Sequence, residues 1–251
     1  MTKETLKVEN LSKSFGGAHV LEGIFFSVKA GECVAIIGPN GAGKTTLLSL
    51  VSGELRPTSG TIYLFGQMAT NQSVQRRVRL GLGRCFQINS LFHGLTVLDN
   101  LLLALKSSQS HYFQVFRPMT TYTNLLVEAK QLLKFIGLQE KKNVLISDLS
   151  YGEQRRLEVA LSLATRPKLL LLDEPSAGLS SNEEITSLIN ILSGLTKDIS
   201  IVFSAHDMDL VFRLAHRVIV LYYGQIIAQG TPEEIQVNPK VQEIYLGVQE
   251  E

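Results

Sequence analysis

Residues 33–53 read CVAIIGPNGAGKTTLLSLVSG, and the order of residue types in that stretch decides the fold. CVAII is short and wholly apolar, the composition of a strand buried on both faces of a sheet, and KTTLLSLVSG follows it with helical character. Together they make half of a βαβ unit. Between them Gly38, Gly43, Lys44 and Thr45 satisfy G-x-x-x-x-G-K-[ST]. Across Gly38, Pro39, Asn40, Gly41, Ala42 and Gly43 the glycines let the backbone curl so that N–H groups converge on phosphate oxygens, and the helix that continues through Thr46 adds its positive end. In such a loop Lys44 reaches the terminal phosphates of a nucleotide, and Thr45 lends a hydroxyl to Mg²⁺.

Working outward, the residues on the N-terminal side, Leu6 to Val28, come in short alternating runs broken by FGG and EGI, the pattern of strands and hairpins. On the other side RPTSG (56–60) turns into another strand, TIYLFG. Residues 92–165 read as mainly helical. In NLLVEAKQLLKFIGL the apolar positions Leu125, Leu126, Ala129, Leu132, Leu133 and Ile136 share one helix face, and Gly137 is placed to end it. KLLLLDEP, ISIVFSAH and RVIVLYYG return to strands. NEEITSLINILSGL carries the helical stripe Ile185, Leu188, Ile189 and Leu192 between the first two of them. TPEE (231–234) gives Thr231 as N-cap, Pro232 at the first helical position and Glu234 three after the cap. The expectation is one α/β domain with a mostly parallel sheet. Within it, residues 1–90 hold an antiparallel β-subdomain and the P-loop part of the core, 91–165 a helical subdomain, 166–230 the rest of the core and 231–251 a helical tail.

Composition narrows the function. At 251 residues, with 45% hydrophobic and 19% charged content, the chain suits a globular protein with a sizeable core. Its formal net charge of +1 gives no electrostatic case for a nucleic-acid partner. The cluster Arg76, Arg77, Arg79 and Arg84 reads as a solvated face. No apolar run is long enough to cross a bilayer, and MTKETLKVENLSKSF has no apolar core behind its lysines, which points to the cytoplasm. Cys33 and Cys85 have neither disulfide nor metal spacing and read as small buried residues.

A second chemical element is LLLLDEP (169–175). An Asp at the C-terminal end of a buried parallel strand lies where ligands gather, so Asp173 is placed to hold Mg²⁺. Glu174, one position on, can project toward the γ-phosphate and orient or deprotonate the attacking water. Gln87 in CFQIN and His206 in FSAHD each follow an expected strand, and LSYGEQ (149–154) is a second small turn aimed into a helix.

Five motifs in this order, from the aromatic SKSFGG to GQIIAQGTPEEI, resemble the ATP-binding subunit of ABC transporters over nearly the whole chain. The resemblance implies a P-loop NTPase of the ABC ATPase type that hydrolyses ATP with Mg²⁺. It also assigns roles. Phe15 matches the aromatic that stacks on adenine, against the alternative of a hairpin aromatic packed in the small sheet. Gln87 matches the glutamine that senses Mg²⁺ and links the site to the membrane partner, and His206 the histidine that contacts the γ-phosphate. Ser150 and Gly152 match the signature that meets the nucleotide of a second ATPase subunit, identical or related. Two residues depart from the family pattern: Tyr151 stands where a glycine is usual, which would throw any positive φ onto Gly152, and Ser180 stands where an Asp is usual.

LSYGEQRRLEVALSLATRPKLLLLDEPSAGLS, HDMDLVFRLAHRVIVLYYGQIIAQGTPEEI and the ending NPKVQEIYLG are similar to ATPase subunits of importers for branched-chain amino acids and related amides such as urea, as is the long segment 106–124. That segment alone reads equally well as a solvated loop or short helical excursion with no such role. The resemblance implies a cytoplasmic ATPase peripheral to a membrane permease, indirectly served by a substrate-binding protein. Gln87 to His93, with Ser90, Leu91 and Phe92, would form part of the groove that receives the permease. An exporter ATPase and a non-transport assembly scaffold are the competing readings.

Overall fold

A computed structural model describes residues 4–85, 91–108, 123–179, 181–196 and 198–246. β1 (Glu4–Phe15) and β2 (Ala18–Lys29) form a hairpin, and β4 (Ser59–Leu64) and β5 (Gln67–Met68) complete an antiparallel sheet of order β2-β1-β4-β5. β3 (Cys33–Ile37), β6 (Leu82–Cys85), β7 (Leu169–Asp173), β8 (Ser200–Ser204), β9 (Arg217–Tyr222) and β10 (Gln225–Gly230) form the second sheet, ordered β10-β9-β3-β8-β7-β6. Every pairing in it is parallel except that of β10 with β9.

The apolar runs are continuous because this sheet is covered on both sides. On β3, Val34 and Ile36 pack with the antiparallel sheet and helix α1 (Lys44–Ser52), while Cys33, Ala35 and Ile37 join the opposite layer. Leu169 and Leu171 alternate with Leu170 and Leu172 in the same way on β7. The opposite layer includes α3 (Val97–Ser108), α4 (Thr123–Phe135) and α5 (Tyr151–Leu163), through residues such as Leu101, Leu133 and Leu157. Gly137, at φ 70°, follows α4 as its spacing predicts. Helix α6 (Asn182–Leu195) buries Leu188, Ile189 and Leu192, leaving Ile185 at the margin. Helix α7 (Met208–Leu214) lies between β8 and β9, and α8 (Pro232–Gln236) starts with the Thr231–Glu234 capping box before α9 (Pro239–Leu246). Among the described residues no helix is long and apolar enough to cross a membrane.

The arginine cluster is not uniformly a solvated face. Arg76 and Arg79 are exposed, but Arg77, on α2 (Val74–Leu80), is only 1% exposed. Its guanidinium donates to the carbonyl oxygens of Leu50, Val51, Thr70 and Gln72, closing the C-terminal end of α1. Burial lowers its pKa to about 10, which leaves it charged at neutral pH. Arg84 is half-buried and pairs with Glu54 at 2.6 Å. In both cases main-chain or carboxylate acceptors satisfy a charge that would otherwise be costly to bury. The cysteines are buried as expected, and desolvation pushes each thiol up to about 12.

Candidate nucleotide site

Register places the chemistry. β3, β8, β7 and β6 are parallel neighbours, so the P-loop, the residues after Ser204, the Asp173–Glu174 turn and the Cys85 end of β6 all lie at the same edge of the sheet. That edge, beyond the C-terminal ends of the strands, is where ligands of such sheets bind. Gln87 and Ser90 lie outside the described residues, as do Ser180 and positions 109–122.

The loop's shape depends on two glycines. Gly43, at φ 104°, precedes α1, and a Cβ there would come within 2.7 Å of the Leu21 side chain. Gly38, at φ 152°, presses against the Leu221 carbonyl with no room for a side chain. Asn40 to Thr46, together with Val20 and Glu174, line a cavity of about 250 Å³. Lys44 is 6% exposed, and its Nζ donates to the carbonyl oxygens of Gly38 at 2.7 Å and Pro39 at 3.1 Å. Burial lowers its pKa below that of ordinary lysine, opposed by the Glu174 and Asp173 carboxylates. Thr45 Oγ1 lies 3.3 Å from Oδ1 of Asp173, which itself is 1% exposed.

Asp173 and Glu174 sit in a turn that is held from several sides. Ser204 Oγ donates to Asp173 Oδ1 at 2.6 Å and accepts the Glu174 N–H at 2.9 Å. Glu174 takes φ 46°, a left-handed conformation that costs a non-glycine residue about 1–2 kcal/mol and persists only where neighbours enforce it. His206 Nδ1 stands 3.6 Å from Glu174 Oε1, so the structure brings these two candidates together. Phe15, 46% exposed with Lys13 Nζ 4.6 Å from its ring centre, is outside the cavity lining; Val20 of β2 is the hairpin residue within it.

Ser150 and Gly152 do not line this cavity. Ser150 is exposed and caps α5: its Oγ accepts the Glu153 N–H, and Glu153 Oε2 accepts the Ser150 N–H. Burial would raise the Glu153 pKa, but Lys141, the Ser150 amide and Arg156 outweigh it and hold the carboxyl below its ordinary value. The expected positive φ at Gly152 is absent, because the helix has already begun at Tyr151. Gly152 instead leaves room for Glu184, whose Cδ a Cβ would approach to 2.7 Å. A flexible carboxylate arm can move aside, so the glycine is less demanding within one chain than its position suggested. Tyr151 lays its ring over Gly178 in the turn after Pro175, where a Cβ would come within 2.7 Å of the ring.

Sequence reasoning missed Ser204, Val20 and the capping role of Glu153. SYGE carries the S-x-x-E signature that names Ser150 and Glu153 as a capping pair. Ser204 had a subtler sign: a polar residue closing an otherwise apolar strand, in register with Asp173.

The family profile described as "ABC transporter" matches residues 21–177, and one described as "Branched-chain amino acid ATP-binding cassette transporter" matches residues 225–251. The chain is 39% identical to the high-affinity branched-chain amino acid transport ATP-binding protein LivG of Salmonella typhimurium, over 98% of this chain and 99% of that one. A crystal structure of the ADP conformation of an ATP-binding cassette of an ABC transporter superposes with a TM-score of 0.88 at 31% identity, covering 98% of this chain and 100% of that one. A dimeric post-hydrolysis state of another ATP-binding cassette, bound to ADP and Pi, superposes with a TM-score of 0.76 at 26% identity, covering 90% of this chain and 98% of that one. With its P-loop, its Asp173–Glu174 turn and near-complete coverage of these proteins, the chain belongs to the ABC transporter family, as one of its ATP-hydrolysing cassettes.

Proposed function

We propose that this cassette powers uptake of branched-chain amino acids or related amides, bound peripherally to a permease on the cytoplasmic face of the membrane. The observation that carries the ATPase chemistry is the convergence of Lys44, Thr45 and Glu174 on one cavity, with Asp173 3.3 Å behind the Thr45 hydroxyl. The substrate class rests on similarity to LivG and on the tail profile at 225–251. The segment meant for the permease supports docking in one respect: Phe92 is 61% exposed while Leu91 is buried. An apolar cavity of about 260 Å³, bounded by Val74, Leu82, Cys85 and Leu161, lies beside β6, the strand that leads into it.

In this reading the amides of residues 40–46 and Lys44 bind the ATP phosphates, Phe15 stacks on adenine, and Glu174 activates water with His206 beside it. The donor set, one hydroxyl and one carboxylate, fits Mg²⁺ carried by a nucleotide rather than one held in an all-protein cage. Thr45 and Asp173 would hold it, with Gln87 as the family's third contact, and the ion would neutralise developing phosphate charge. Because the Ser150 capping bond uses the hydroxyl only as acceptor, its O–H is left to donate to a phosphate of a second ATPase subunit, with Gly152 beside it. Ser150→Arg is then expected to leave ATP affinity of the isolated chain unchanged and to lower turnover at least about tenfold, by blocking closure of the pair. Normal turnover would contradict a shared site.

The experiment for the function as a whole is co-purification followed by reconstitution. The chain should bring down an integral membrane permease, and proteoliposomes of that complex should take up leucine or urea only with ATP. Recovery with soluble partners alone, or ATP-independent uptake, would remove the transport reading.

A further inference from the structure

We infer that Arg155 is a positioning residue for hydrolysis, holding the backbone turn that aims Glu174 into the phosphate cavity; this rests on the reading of Glu174 as the water-activating carboxylate. Arg155 lies on α5, 5% exposed, and its guanidinium spans three successive carbonyl oxygens: Nε donates to Pro175 at 3.0 Å, and Nη2 to Asp173 and Glu174 at 3.1 Å each. The middle one of these three residues, Glu174, takes the left-handed conformation. Nη1 is anchored on Glu158 Oε2 at 2.7 Å and lies 3.7 Å from Cys85 Sγ, at the end of β6.

The turn is therefore gripped at both ends of the Glu174 residue. Ser204 takes its N–H, and Arg155 takes its carbonyl and those on either side. A planar fork of donors can meet several carbonyls in fixed geometry, whereas the single ammonium of a lysine cannot span them. Of the residues so held only Glu174 lines the cavity, and it is held through its main chain, so losing these bonds should displace its carboxylate while the contacts from residues 40–46 stay in place. A misplacement of about 1 Å at a reacting group can cost about 10²-fold in rate.

The test compares Arg155→Lys, and Arg155→Met combined with Glu158→Gln so that no lone charge is left buried, in the wild-type and Glu174→Gln backgrounds of the full-length chain. ATP affinity should stay within about twofold while kcat falls about 10–100-fold in the neutral pair, with Lys restoring part of it. In the Glu174→Gln background the same change should lower residual turnover by less than about twofold, since both act through one carboxylate. Three results would overturn the inference: wild-type kcat in a folded variant, equal loss in both backgrounds, or kcat falling only in step with ATP affinity. If the neutral pair does not fold, Arg155→Lys decides by the same criteria. Wild-type turnover of Glu174→Gln alone would instead remove the reading of Glu174.

Discussion

Glu174→Gln is expected to bind ATP about as tightly as the wild type and to hydrolyse it about 10²–10⁴-fold more slowly, the usual worth of a general base. The amide keeps the side chain's volume and one acceptor, so it perturbs neither the left-handed backbone nor the cavity wall that Glu174 helps to form. What it removes is the capacity to take a proton from water. Single-turnover hydrolysis beside equilibrium nucleotide binding separates the two effects. Near-wild-type chemistry would leave His206, 3.6 Å away, as the next group to examine.

The second large effect is expected at Lys44. Lys44→Ala should weaken ATP binding by about 10–100-fold, since a hydrogen bond to a charged group is worth about 1.5–3 kcal/mol. The ammonium now donates to the Gly38 and Pro39 carbonyls, and a bound phosphate would offer it an anionic acceptor in the same loop. Burial lowers its pKa, and a γ-phosphate beside it would favour the charged form, as the Glu174 and Asp173 carboxylates already do. Titration with ATP and with adenosine should separate the variants: only ATP affinity should fall. Equal affinity for ATP in both proteins would contradict the phosphate-loop assignment.

Much of this site was legible in the sequence because buried parallel strands announce themselves. CVAII and LLLL are apolar throughout since both faces are covered, and the residues that end these runs, Gly38 and Asp173, fall where the ligand edge must be. Less legible were groups whose meaning depends on neighbours distant in sequence. Arg77 and Arg84 resemble any charged run until the carbonyls of α1 and the Glu54 carboxylate are placed around them. Arg155 is one of two adjacent arginines on a helix, and only the packing of α5 against the turn after β7 gives it three carbonyls to hold. Tyr151 leaves Gly152 as the residue for any positive φ in its turn, yet Gly152 takes none; the left-handed residue beside the cavity is Glu174, which no local pattern marks.

Tyr151 and Gly178 show the same dependence on packing. The tyrosine ring occupies the space that a side chain at 178 would need, tying the start of α5 to the turn after Pro175 within one chain. The start of α5 and the turn after β7 are thus joined twice, through Tyr151 and through Arg155.

In the proposed function ATP is held between two cassettes, each supplying its P-loop to one nucleotide and Ser150 to the other. Sedimentation velocity of the Glu174→Gln chain tests it most directly, alone and mixed with whichever ATPase chain co-purifies with it. Mg-ATP should convert monomers to dimers that retain unhydrolysed ATP, and adding Ser150→Arg should return them to monomers. A chain that is saturated with ATP and still sediments as a monomer in both mixtures would contradict the claim.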